Sequence, residues 1–133
     1  AALIGGGWGV RDVDLGFNEI SDGGCTALAD AVSSPNNVVS RLQLRINRIR
    51  NDGAKSLAAA LGSEHCRLEW VSVASNVIGT GGLRALMEAL PLSGSVCVMD
   101  LSGQKEAVFS DADFEKGAQR LAAHLQDRGG GGG

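Results

Sequence analysis

Leu42-Gln43-Leu44-Arg45-Ile46-Asn47-Arg48-Ile49 puts apolar side chains at alternate positions, an Asn three residues on and another apolar residue two beyond that. The same spacing occurs 29 residues earlier as Val13, Leu15, Asn18 and Ile20, and 29 residues later as Val71, Val73, Asn76 and Ile78. A fixed period of this length means stacked supersecondary units, each burying its apolar face against its neighbours. Taken from the first apolar residue, the unit reads L-x-x-L-x-L-x-x-N over Val10 to Asn18, Val39 to Asn47 and Leu68 to Asn76. Positions one, four and six are expected to point inward from a short strand and the bend after it. An Asn amide donates and accepts together, so it can satisfy backbone groups that a turn leaves unpaired inside a stack. Asn18, Asn47 and Asn76 are therefore read as a structural ladder.

A helix is expected after each strand. Asp22, Asn51 and Thr80 are suitable N-caps, and Gly24, Gly53 and Gly82 recur at one position, where a glycine permits a close turn. Leu28, Ala31 and Val32 share a helical face, a pattern repeated by Leu57, Ala60, Leu61 and by Leu86, Ala89, Leu90. Pro35 and Pro91 fall at or beyond the helix ends. The predicted fold is an α/β solenoid, a horseshoe segment with a parallel sheet on the concave side and helices on the convex side.

The two ends depart from the rule. Leu3 lies seven residues before Val10, as Val32 does before Val39, so Ala1 to Leu3 reads as the last turn of a helix. The first strand's edge is then expected to be covered by further repeats or by another subunit, with Trp8 as a local lid. In the fourth unit Val96, Met99 and Leu101 keep the strand spacing, but Gln104 stands where Asn is expected and Gly117 follows it by thirteen residues instead of six. Ser110 to Asp113 can cap a longer helix with Phe114, Ala118, Leu121, Ala122 and Leu125 as its apolar stripe, which reads as a capping repeat. Residues 1–128 form one predicted repeat domain, and 129–133 a flexible glycine tail.

Composition narrows the function. Of 133 residues 44% are apolar but only 4% aromatic, with no Tyr, which fits an aliphatic core lined by Ala. A net charge of -3 argues against general nucleic-acid binding, and no apolar run approaches the roughly 20 residues of a membrane span. Cys25, Cys66 and Cys97 are odd in number and widely spaced, which suggests neither a disulfide framework nor a zinc ribbon and points to an intracellular, cytoplasmic setting.

The run Leu42-x-Leu44-x-x-Asn47-x-Ile49-x-Asn51-Asp52-Gly53-Ala54-x-x-Leu57-Ala58-x-Ala60-Leu61 resembles the ribonuclease-inhibitor-like class of leucine-rich repeats. The resemblance spans about residues 10 to 101 and extends weakly to 125. It implies the horseshoe just described and a general protein-binding scaffold, a class that includes ribonuclease inhibitors, sensor arrays of innate-immune receptors, Ran GTPase activators and subunits of large assemblies. A shared scaffold does not choose among these roles.

Variable residues on the concave face are the candidate site: Asp12, Asp14 and Gly16; Arg41, Gln43 and Arg45; Trp70, Ser72 and Ala74; Val98, Asp100 and Ser102. Arg41 and Trp70 share a register on neighbouring strands, about 4.8 Å apart, so the guanidinium can lie on the indole. With Arg45, Arg48 and Arg50 they make a basic, aromatic centre suited to a protein partner with an acidic surface. Against this, Asp12 and Asp14 can neutralise Arg41 and Arg45 in cross-strand pairs worth about 0–1 kcal/mol each. The alternative function is a GTPase-activating regulator, with Arg48 or Arg50 on the loop after the second strand as the residues to test.

Catalysis has little support. His65 and His124 have no nucleophile at a recognised spacing, Ser102 to Lys105 matches S-x-x-K only by chance, and the glycine clusters lack phosphate-binding spacing. No cofactor or metal is expected.

Overall fold

The computed structural model describes residues 9–104 together with Gln119, Ala122 and Ala123. Four three-residue strands alternate with three helices: β1 (Asp12–Asp14), α1 (Asp22–Val32), β2 (Arg41–Gln43), α2 (Asn51–Leu61), β3 (Trp70–Ser72), α3 (Thr80–Ala89) and β4 (Val98–Asp100), with a 3-10 turn at Leu90–Leu92. The strands form one parallel sheet in the order β1-β2-β3-β4. Each pair is offset by one repeat: Asp12 pairs with Arg41, Arg41 with Trp70, and Trp70 with Val98. Backbone pairing runs on beyond the strands, from Leu15 N to Gln43 O at 2.9 Å and from Phe17 N to Arg45 O at 3.0 Å. This is the α/β repeat fold expected from the period.

Burial follows the repeat positions. Val39, Leu42 and Leu44 from the second unit and Leu68, Val71 and Val73 from the third are wholly buried, with Leu57, Leu61, Leu83 and Leu86 of the helices against them. Val13 and Leu15, and Val96, Met99 and Leu101, are only partly buried against that core. The helices pack side by side, close enough for the Thr26 and Ser56 hydroxyls to hydrogen-bond at 2.8 Å and for Cys25 Sγ to donate to Gly53 O at 3.3 Å. Burial, and then the charge of Asp22, push the Cys25 thiol up to about 12. Cys25 is a packed, neutral filler, and Cys66 is likewise raised by burial.

The expected N-caps are corrected. Asp22, Asn51 and Thr80 are the first helical residues, and Ser21, Arg50 and Gly79 occupy the N-cap positions without a side-chain cap of their own. The capping crosses to the following repeat instead. Asp22 Oδ1 accepts from Arg50 N at 2.8 Å and Gly53 N at 3.0 Å; Asn51 Oδ1 accepts from Gly79 N at 2.8 Å and Gly82 N at 3.0 Å. These are the free donors of a helix N-terminus, satisfied by the neighbouring unit. The recurrent glycines follow from this. A Cβ at Gly82 would lie 2.6 Å from Ile78 Cγ2 and 2.8 Å from Asn51 Oδ1, and one at Gly53 would lie 2.8 Å from Asp22 Oδ1.

Most of the expected capping helix, Trp8 and the glycine tail lie outside the described residues. Gln119, Ala122 and Ala123 are helical and exposed. Among the described residues, no helix is long and apolar enough to cross a membrane.

Candidate interaction face and its supporting ladder

The side chains on the helix-free face of the sheet are held from behind by a polar ladder. Asn47 Nδ2 donates to Leu15 O and Leu44 O, both at 3.0 Å, while its Oδ1 accepts from Ile20 N at 3.0 Å. Asn76 does the same one repeat later, donating to Leu44 O and Val73 O at 2.9 Å and accepting from Ile49 N at 3.0 Å. Gln104 takes the next rung: its longer side chain donates to Val73 O at 2.8 Å and accepts from Ile78 N at 3.1 Å. Asn18 is exposed and, among the described residues, bonds within its own turn, to Leu15 O and Gly16 O. A second polar anchor, Asn37, is wholly buried and was not singled out from the sequence. It donates to Val32 O, Ser34 O and His65 O and accepts from Val39 N.

On the open face, Arg41 stands between two partners. Its guanidinium carbon lies 3.9 Å from the Trp70 ring centroid, and its Nε lies 3.8 Å from Asp12 Oδ1. Both contacts form at once: the ion pair is loose and exposed, and the indole, half-buried, has the cation as its cover. Arg48 is bound to Glu19 at 3.2 Å, with both side chains well exposed.

Asp14 and Arg45 do not pair among the described residues. Asp14 Oδ1 accepts from Gly16 N at 3.0 Å, and its register mates repeat this local turn: Gln43 Oε1 from Arg45 N, Ser72 Oγ from Ala74 N and Asp100 Oδ1 from Ser102 N. Asp14 thus has a turn-forming task that the sequence reading did not assign. Arg45 lies instead over Phe17, with 4.7 Å between guanidinium carbon and ring centroid. Ser72 and Ala74 are buried, so the third repeat offers only Trp70 here, while Val98, Asp100 and Ser102 are exposed.

Sequence reasoning also passed over the residue before each ladder amide. Phe17, Ile46 and Ser75 have φ of 59°, 55° and 56°, and Gly103, the corresponding residue of the fourth unit, has 74°. Left-handed backbone costs a residue with a side chain about 1–2 kcal/mol, and a β-branched residue such as Ile46 is an outlier there. Phe17 and Ile46 are nevertheless large and exposed, at 66% and 39%. Gly103 marks the position, but only the backbone reveals that its partners share it.

His65 is a partly exposed side chain whose Nε2 lies 3.4 Å from Glu64 Oε1. Among the described residues, no three His, Cys, Asp or Glu side chains cluster as a metal site.

A family profile described as Leucine Rich repeat matches residues 10–29, which span β1, its ladder residue Asn18 and most of α1. The repeats are leucine-rich repeats. The chain is also 27% identical over 113 residues to a mouse (Mus musculus) protein named "NACHT, LRR and PYD domains-containing protein 4C", a match covering 84% of this chain and 11% of that protein. Leucine-rich repeats generally serve as modules for protein–protein interaction.

Proposed function

We propose that the chain is part of a ribonuclease-inhibitor-like solenoid that performs no chemistry and binds a protein partner with an acidic surface on the concave, helix-free face of its sheet. The observation that carries this reading is the Arg41–Trp70 pair, with 3.9 Å between the guanidinium and the ring. Arg and Trp are the residue types that dominate interface hot spots, and here they stand together on a face whose backbone is fully occupied by the sheet. The face is favoured over the outer edge of β1 because it brings charge and aromatic surface to one place. The free thiols Cys25, Cys66 and Cys97 suit a reducing, intracellular setting.

The test compares variants as baits. Trp70→Ala and Arg41→Ala are expected to keep the wild-type melting profile and to lose proteins that wild type and Lys55→Ala, altered on exposed α2 surface, both retain. If all four baits retain the same proteins, the face is not the binding site.

A further inference from the structure

Phe17, Arg45 and Ile46 form a ledge beside the open face, at the bends that follow β1 and β2. Phe17 N donates to Arg45 O at 3.0 Å, which ties the two bends together. The absence of a side chain at Gly16 lets the Arg45 stem pass close by: a Cβ there would lie 3.2 Å from Arg45 Cγ. That approach helps set the guanidinium 4.7 Å from the Phe17 ring. Among the described residues no carboxylate lies within 4.0 Å of Arg45, whereas Arg41 and Arg48 have Asp12 and Glu19.

The turn does not require these side chains. Ser75 and Gly103 make the same left-handed turn in the next two units, and Gly103 does so without strain. Phe17 and Ile46 therefore carry a conformational cost and expose apolar surface at once, so neither folding nor solubility accounts for them. Strain of this kind, held by a rigid frame, is a mark of functional positions.

Building on the protein-binding reading above, we infer that the Phe17–Arg45–Ile46 ledge seats a partner segment in which a carboxylate lies next to an apolar anchor. The carboxylate meets the Arg45 guanidinium, which has no carboxylate partner among the described residues, and the anchor covers Phe17 and Ile46. Charge complementarity selects this occupant over a basic or purely apolar one.

Amide NMR spectra of the full chain test this, with three short Gly/Ser peptides as probes, carrying Glu-Leu-Phe-Glu, Lys-Leu-Phe-Lys or Glu-Ser-Ser-Glu at their centres. The first is expected to displace the Phe17, Arg45 and Ile46 signals, and the other two to leave them in place. Arg45→Ala, Phe17→Gly and Ile46→Gly should each weaken that peptide by about tenfold, the loss typical of one interface anchor. The two glycine variants should meanwhile melt no lower than wild type. Glycine variants that melt lower yet bind equally would overturn the ledge, because the side chains would then serve folding. So would displacement by all three peptides, or shifts of the same signals on concentrating the chain alone. Shifts confined to Arg41 and Trp70 would overturn the ledge while leaving the open face as a binding site.

Discussion

The two sides of each strand in this sheet are governed differently. Behind the sheet, Asn47, Asn76 and Gln104 make one hydrogen-bonding pattern three times, and the apolar positions around them are aliphatic in every repeat. In front of it, one register row runs Asp12, Arg41, Trp70, Val98, with no two residues alike. The inner side meets the same backbone at every step, so any change there must answer to the same buried N–H and carbonyl groups, the carbonyls being shared between neighbouring rungs. The outer side meets solvent, so its residues are free to be chosen for what they contact. Periodicity is thus evidence of structure, and its interruption within a rigid frame is where recognition can be built.

The largest expected effect lies on the inner side. Asn76→Ala leaves Ile49 N without its acceptor and takes one of two donors from each of Leu44 O, Val73 O and Ala74 O, all in a buried setting. One orphaned buried N–H at about 1–3 kcal/mol, together with three weakened carbonyls and the void left by the side chain, makes a loss of roughly 3 kcal/mol. Asn18→Ala, which frees Gly16 O at an exposed turn while Leu15 O keeps Asn47, should cost about 1 kcal/mol or less. Urea unfolding of the two variants checks this, and equal losses would mean that the ladder is not held by its buried rungs.

A smaller effect of opposite signs is expected at two glycines. Gly82→Ala drives a methyl against Ile78, Asn51 and Ala54 and disturbs the cap that Asn51 supplies, at about 1–3 kcal/mol. Gly23→Ala, near the start of α1, meets nothing within 4 Å and should stabilise by about 0.5–1 kcal/mol by stiffening the unfolded chain in a helical position. Thermal melts of the two variants should therefore move apart. Two losses of similar size would show that helix geometry, and not the contact between repeats, selects glycine.

These effects explain what was legible beforehand. The 29-residue period carried the strands, the inward positions and the ladder amides, because burial repeats with the fold and leaves an apolar trace in each unit. Gln104 looked like a break in that pattern, yet its amide reaches the same kind of groups as Asn76. The caps were misassigned because Asp22 acts 28 and 31 residues away, on Arg50 and Gly53, and a motif read within one repeat cannot see a contact made between two. On the outer face, the Arg41–Trp70 contact followed from register alone. Arg45 did not, since Phe17 competes with Asp14 for it through a backbone conformation that non-glycine residues do not advertise.

The smallest effect should be the one that looks most like a bond on the outer face. Asp12 and Arg41 are 70% and 50% exposed and 3.8 Å apart, so solvent screens their attraction and ordering two mobile side chains offsets it. Asp12→Ala should change stability by no more than about 0.5 kcal/mol, measured by urea unfolding at low salt, and by less as salt is added. Its consequence falls on binding: with the carboxylate gone, Arg41 keeps its place over Trp70 and has its charge free for a partner. Asp12→Ala should then strengthen capture of an acidic protein that Arg41→Ala loses. A cost near that of Asn76→Ala would mean that the outer row is framework too, and the contrast between the two sides of the sheet would collapse.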